Sequence, residues 1–326
     1  MKTAICRRYG PPSVVSIESA PQPTPGPGEV LISVQASGLT TGDARIRGAR
    51  APRGMGLMIR LFFGLRGHRQ RVLGREFAGL VVTLGEGVKR FAVGEAVFGI
   101  TDGMRMGAHA EQLVVRADGL VFPRPDTLSV PEAASFFFGG LTAADFLLDQ
   151  CELQPGDRLL VVGGTGAVGS AAIQIAHHLG AHVTALSGPN NLNLAHSLGA
   201  DVVLNYQTDP VMGPFDVILD VPGILPNPIS HLAKGGRLGL VTADLASMLG
   251  AALRPMRVGA RKLVAGVIKE TPQALGRLIA LHDIGAYRPH IGAEFPLSEI
   301  VQAHAQADSG HKRGNLVILM NPQQCP

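Results

Sequence analysis

Residues 159 to 180 read LLVVGGTGAVGSAAIQIAHHLG, and no other stretch restricts the fold of this chain so strongly. An apolar run of strand character passes directly into Gly164-Thr165-Gly166-Ala167-Val168-Gly169. Val168, Ala172, Ile175, Ala176 and Leu179 then recur at helical spacing up to Gly180. Three glycines at this spacing are a weak pattern alone; between a buried strand and a helix they become a specific signal for a dinucleotide. Gly164 is expected to form the tight turn, Gly166 to let the backbone approach a pyrophosphate, and Gly169 to let the helix pack on the sheet. The helix start offers N–H groups and the positive end of its dipole to the anion. Thr165, Ala167 and Val168 are therefore candidate cofactor-binding residues beside the three glycines.

Beyond Gly156 the short apolar segments RLLVVG, AHVTALS, DVVLNY, DVILDV and RLGLVT alternate with helical stretches. That rhythm predicts a doubly wound parallel sheet in an α/β chain. The second strand ends at Ser187, where an NAD-selective site carries an acid for the ribose 2′-hydroxyl. SGPNNLN offers neither an acid nor an Arg or Lys, so the expected cofactor is NADPH, with NADH bound more weakly.

Residues before about 121 have a different character. After the Pro/Gly connector PQPTPGPGEV come short Val-rich strands separated by glycine turns, VLISVQASG, LVVTLG and EAVFGI among them. VFPRPDTLSVPEAASF marks the change, with a helix starting near Ser129 and Pro131 and Glu132 in its first turn. Near the end, PLSEIVQAHAQADSG predicts a helix led by Ser298, followed by a strand over NLVILM. A chain of 326 residues with 46% hydrophobic and 17% charged side chains suits two globular domains. With three tyrosines, no tryptophan and a net charge of only +4, no nucleic-acid partner is expected. No run is long enough to span a bilayer and MKTAICRRYGPPS has no apolar signal core, so a cytoplasmic protein without a membrane partner is expected. Cys6, Cys151 and Cys325 are far apart and show no metal-ligand spacing, which excludes a disulfide framework and a structural zinc site. His177 and His178, adjacent on the first helix of the alternating half, are expected at the surface.

From Arg45 to Arg75 the chain carries Arg45, Arg47, Arg50, Arg53, Arg60, Arg66, Arg69, Arg71 and Arg75 without one Asp or Glu. Met55, Leu57, Met58, Ile59, Leu61, Phe62 and Phe63 form an apolar centre. Two readings stand side by side: a solvated basic loop around a short buried helix, or a flap or patch that meets an anionic substrate.

Taken in order, PGPGEVLISVQASGL, GREFAGLVVTLGEGVKRFAVGEAVFG, FFGGLTAADFL, GGTGAVG and LGADVVLNY resemble the medium-chain dehydrogenase/reductase superfamily over essentially the whole chain. Within it, the chain is similar to the zinc-free quinone oxidoreductases related to zeta-crystallin. The resemblance implies a GroES-like β-rich domain over residues 1–121, completed by 286–326, and a Rossmann domain over 122–285, with the nicotinamide in the cleft between them. Zinc-dependent members carry Gly-His-Glu where this chain has Gly74-Arg75-Glu76. Their catalytic cysteine aligns with Thr40 and a later cysteine with Phe138, and their four-cysteine lobe is missing. Thr is a poor zinc ligand, and Arg and Phe are not usual ones. The resemblance therefore implies hydride transfer from NADPH to a quinone or α,β-unsaturated carbonyl without metal. A 2-enoyl thioester reductase and a non-catalytic NADPH-binding regulator are the alternatives.

By the same resemblance Thr142 contacts the nicotinamide, Tyr206 lies near the 2′-phosphate, and Asp43, with Thr40 and Arg75, borders the substrate cleft. For Asp43 a turn-capping role, and for Tyr206 a buried strand end, are the competing readings. Asn315 replaces a phosphate-side lysine. Arg75 is expected to serve as a structural partner of Glu76. A homodimer is expected through KLVAGVI, residues 262–268, read as an uncovered edge strand. A short-chain-reductase Tyr-x-x-x-Lys pair is absent: Ser13, Pro210 and Ile291 follow Tyr9, Tyr206 and Tyr287 at that spacing.

Overall fold

The computed structural model describes residues 1–50, 56–103, 105–242, 256–258, 261–265 and 268–320. Arg53, Met55 and Cys325 lie outside the described residues. The chain divides into two compact units, one of Met1–Ala51, Gly56–Phe137 and Ile291–Pro326, the other centred on Phe138–His290. The expected boundaries were 121/122 and 285/286, and local contacts account for the difference. Strand β7 (Val121–Pro123) pairs with β5 (Ala96–Ile100), which keeps the segment after residue 121 in the first unit. Helix α3 (Val130–Ala133) follows it there, capped reciprocally by Ser129 and Glu132 as the sequence anticipates. At the other end, Tyr287 is buried against Gly140, and the Arg288 carbonyl accepts from Gln174 Nε2 at 3.0 Å, so both stay with the second unit.

The first unit holds a hairpin of β1 (Lys2–Cys6) and β2 (Val15–Ser19) and a larger sheet. In that sheet β15 (Ile291–Pro296), β16 (Asn315–Leu319), β3 (Glu29–Leu39), β4 (Glu76–Leu84), β5 and β7 lie in that order. Strand β6 (Gln112–Arg116) adds to β3. Alternating apolar side chains of β3 and β4, including Val30, Ile32, Val34, Phe77 and Val81, form its core. Helix α1 (Thr41–Gly48) and helix α8 (Ile300–Asp308) are tied by Arg47, which is fully buried. Arg47 donates to the Gly10 carbonyl at 2.6 Å and to Asp308. Ser298 does not lead α8: it lies inside a 3₁₀ turn, Leu297–Glu299, and Glu299 occupies the cap without a side-chain bond.

Helix α2 (Gly56–Phe63) corrects the expectation of a buried apolar helix. Phe63 packs against the core, whereas Leu57, Leu61 and Phe62 are exposed.

The second unit is built on β10 (Val202–Asn205), β9 (His182–Ser187), β8 (Arg158–Val162), β11 (Phe215–Asp220), β12 (Leu232–Leu240), β14 (Arg261–Ala265) and β13 (Met256–Val258), in that spatial order. All pairs are parallel except β13 with β14. This is the doubly wound order, in which direction reverses between β8 and β11 and a crevice opens beyond their carboxyl ends. Strand β14 is not the uncovered edge that KLVAGVI suggested. Met256–Val258 pairs antiparallel with Arg261–Leu263, so the first part of β14 has a neighbour and β13 is the outer strand of the sheet. Residues 266–267 lie outside the described residues.

Two histidines of the first unit are buried together. His109 and His304 stand edge to face with ring centroids 6.2 Å apart. His109 Nδ1 meets Ser37 Oγ at 3.0 Å, and neither ring nitrogen of His304 has a hydrogen-bond partner. Burial holds the His304 imidazole well below its ordinary range, helped by His109 and Arg47. Burial also lowers His109, with Asp43 opposing. Unfolded histidines titrate near about 6.5, so below that pH the unfolded chain takes up protons that the folded one refuses, and stability falls on acidification. His304→Leu is expected to lessen that loss: between about pH 7 and pH 5 its melting temperature should fall by about 2 °C or more less than that of the wild type. Equal acid-side slopes would contradict this account.

Candidate nucleotide-binding site

At the end of β8 the left-handed turn falls on Gly163, with φ of 75°, and not on Gly164 as expected. Gly163 N and Gly164 N both donate to the Leu186 carbonyl, which fastens the turn to β9. Gly164 is needed for space instead: a β-carbon there would lie 3.1 Å from Ala185 Cβ and 3.2 Å from Ser187 Oγ. Helix α5 (Ala167–His178) starts from Gly166, an extended cap with no side chain to accept from the first turn. A β-carbon on Gly166 would meet nothing nearer than the Gly163 carbonyl at 3.6 Å, so this side of the turn is open. At Gly169 it would lie 2.1 Å from the same carbonyl, so α5 rests directly on the turn. Thr165, Ala167 and Val168 are buried around it, and His177 and His178 are exposed at the far end of α5.

Ser187 closes β9 with its hydroxyl buried and without a hydrogen-bond partner. Its carbonyl accepts from Tyr206 N at 3.1 Å, so the two residues named for the adenosine side are neighbours. Tyr206 is not a buried strand end: it is 49% exposed, and its ring stands 3.3 Å from the β-carbon position of Gly188. Helix α4 (Phe137–Ala144), which carries Thr142, packs against the start of α5. Gly139 has no room for a β-carbon, which would lie 2.5 Å from the Ala167 carbonyl, and Thr142 Oγ1 donates to the Phe138 carbonyl at 2.7 Å. Asn315 opens β16 and belongs to the first unit.

Asp220, which sequence reasoning missed, ends β11 across the reversal point. Its carboxylate accepts from Gly223 N, Ile224 N and Leu225 N at 2.9, 3.3 and 3.0 Å. These bonds fold the loop after β11 so that Pro222 Cδ lies 3.1 Å from the β-carbon position of Gly163. The available signal was an acid at a strand end followed by Pro-Gly. The turn thus has a fixed wall, an open face at Gly166, an uncapped helix start and a spare hydroxyl at Ser187. Those features fit a dinucleotide whose pyrophosphate meets the helix start.

The remaining candidates gather in the first unit. Thr40 caps α1: Asp43 Oδ2 accepts from Thr40 N at 2.8 Å and from Thr40 Oγ1 at 2.7 Å, while Asp43 Oδ1 accepts from Gly74 N at 3.1 Å. The capping reading of Asp43 therefore holds. Arg75 Nη2 donates to the Thr101 carbonyl at 2.9 Å, and Glu76 Oε1 accepts from Phe137 N at 2.7 Å. Lys312, also missed, is half-buried near these acids. Burial pushes its ammonium down to about 8, with Glu76 and Asp43 pulling it back. A lysine of that strength can release or take a proton near neutral pH; nothing in HKRGN signals its burial. No three His, Cys, Asp or Glu side chains cluster as metal ligands among the described residues.

Comparison with known proteins agrees with this geometry. Residues 26–126 match the alcohol dehydrogenase GroES-like domain and residues 198–318 the zinc-binding dehydrogenase family. A chloroplastic quinone-oxidoreductase, QR1, from Triphysaria versicolor is 29% identical over 91% of this chain and 92% of its own. The solved quinone oxidoreductase from Coxiella burnetii is 28% identical with a TM-score of 0.85, covering 98% of this chain and 99% of that one. A mycobacterial protein solved with NADPH is 26% identical with a TM-score of 0.79, covering 98% and 100%. The chain belongs to the medium-chain dehydrogenase/reductase superfamily, in its quinone-oxidoreductase branch. It is an oxidoreductase that works with a nicotinamide nucleotide.

Two glycines separate folding from binding. Gly169→Ala is expected to cost about 1–3 kcal/mol of stability, because the added methyl overlaps backbone. Gly166→Ala should stay within about 0.5 kcal/mol of the wild type, yet weaken nucleotide binding because its methyl points into open space at the helix start. Chemical denaturation and calorimetric titration of both variants check this; a stable Gly169→Ala protein, or unchanged binding by Gly166→Ala, would contradict it.

Proposed function

We propose that this chain reduces a quinone or another α,β-unsaturated carbonyl with NADPH, and does so without zinc. The observation that carries the reading is the end of β9. The buried Ser187 hydroxyl has no partner, no acid follows it in SGPNNLN to repel a 2′-phosphate, and the N–H of the half-exposed Tyr206 donates to its carbonyl. Thr142 and the open turn from Gly163 to Gly169 would hold the nicotinamide and the pyrophosphate.

When bound, the dihydronicotinamide supplies the hydride; the protein supplies binding and orientation. The turn glycines admit the phosphates close to backbone, and Asp220 keeps the neighbouring loop in its shape. Metal-free chemistry is supported by residue type. The Thr40 hydroxyl is engaged with Asp43, and a guanidinium at Arg75 repels a divalent cation where relatives carry a histidine. Without a Lewis acid to polarise an alcohol, an acceptor that is already electrophilic is the fitting substrate. A cytoplasmic place of action is proposed with it, supported by the buried free thiols of Cys6 and Cys151.

Oxidation of NADPH and NADH, followed with a small quinone, an enone and a 2-enoyl thioester in the presence of chelator, tests the reading. The expected result is chelator-resistant quinone or enone reduction with a higher kcat/KM for NADPH. A faster thioester reaction would favour the enoyl reductase alternative. Activity lost to chelator and restored by zinc would defeat the metal-free part, and equal use of NADH would defeat the cofactor assignment.

A further inference from the structure

The basic segment is divided in two by the structure. Arg47 is buried and structural, held by Gly10 and Asp308, and Arg50 lies 3.8 Å from the same aspartate. Arg60, Arg66 and Arg69 lie on or just after a different feature, helix α2. Leu57, Leu61, Phe62 and Leu65 are each between 52% and 64% exposed. Leu57 and Leu61 are one helical turn apart on α2, with Phe62 beside them, while Phe63 on the opposite side anchors the helix in the core.

This arrangement is held in place. Arg60 lies over the Tyr9 ring at 5.1 Å, and the Tyr9 hydroxyl donates to the Gly64 carbonyl at 2.6 Å. Arg69 N donates to the Phe63 carbonyl at 2.7 Å, and Gly67 is pressed against the Arg7 carbonyl, which brings Arg8 alongside. Arg8, Arg66, Arg69 and Arg71 are exposed, and no Asp or Glu occurs between residues 45 and 75. Arg8, Arg60, Arg66 and Arg69 form no ion pair with a carboxylate among the described residues. The chain thus presents outward a ridge of large apolar side chains bordered by unneutralised guanidinium groups.

We propose that the surface formed by α2 and the turn through Arg69 docks on the face of an anionic phospholipid bilayer. Leucine and phenylalanine side chains standing clear of the protein suit the acyl boundary, and guanidinium groups suit lipid phosphates. Charge complementarity selects this occupant over a second copy of the chain, because two such faces would bring like charges together. Two premises behind the expectation of no membrane partner are met differently here. The apolar residues are not buried, and surface docking needs no spanning helix; none long and apolar enough occurs among the described residues. The inference stands whether or not the acceptor is a quinone.

Co-sedimentation of the full chain tests it, using vesicles of phosphatidylcholine with and without phosphatidylglycerol. Vesicles containing phosphatidylglycerol should bind the protein at least about tenfold better than phosphatidylcholine alone, with binding falling as salt rises. Leu57→Ser/Leu61→Ser/Phe62→Ser should weaken that binding at least about tenfold, and Arg66→Glu/Arg69→Glu should remove the preference for phosphatidylglycerol. Both variants change exposed side chains, and unchanged melting curves confirm their folding. Failure of the wild type to sediment with anionic vesicles, or sedimentation of both variants like the wild type, overturns the proposal. So does light scattering that shows a wild-type dimer which the apolar variant abolishes, since a second copy would then cover the face.

Discussion

The carbonyl of Gly163 occupies the space where a β-carbon of Gly169 would sit, and that contact sets the geometry of the nucleotide site. It brings the first turn of α5 down onto the end of β8, which aims the helix start across the point where the sheet reverses direction. Gly139 repeats the device from another side, admitting the Ala167 carbonyl against α4. Two helices and a strand end therefore meet through backbone rather than side chains. Their approach leaves Gly166 as the open position, with the Ser187 hydroxyl beside Gly164 in the same turn.

The first unit is organised on a different principle. Its buried charged groups are tied to partners that mostly lie far away in the chain: Asp43 to Gly74 as well as to nearby Thr40, Glu76 to Phe137, and Arg47 to Gly10 and Asp308. At the aligned metal-ligand positions stand Thr40, capping a helix, and Arg75, bonded to the Thr101 carbonyl. His304 stands among the groups without a hydrogen-bond partner, and burial weakens the Lys312 ammonium.

Features encoded within a few residues were legible in the sequence. The turn of GGTGAVG, the Ser129 capping box and the alternation of strands and helices are each set by local backbone preference and short-range periodicity. What could not be read depends on partners distant in the chain. Gly163 and Gly164 exchange roles because Leu186 fixes the turn, and Tyr206 is exposed because the chain leaves the sheet just after Asn205. KLVAGVI is not the outermost strand, because residues 256–258 pair along Arg261–Leu263. The arginine segment shows the limit best: its composition is obvious, but only contacts with Gly10, Asp308 and Tyr9 separate a buried structural arginine from those that border an exposed apolar ridge.

The central claim is that the turn from Gly163 to Gly169 binds the nicotinamide nucleotide without help from a metal. The chain has no tryptophan, so the emission of the reduced nicotinamide can be followed with little protein background. Titrating NADPH into metal-stripped protein should give saturable, stoichiometric binding, tighter than for NADH and unaltered by added zinc. Absence of saturable binding, or binding that appears only when zinc is restored, would contradict the account.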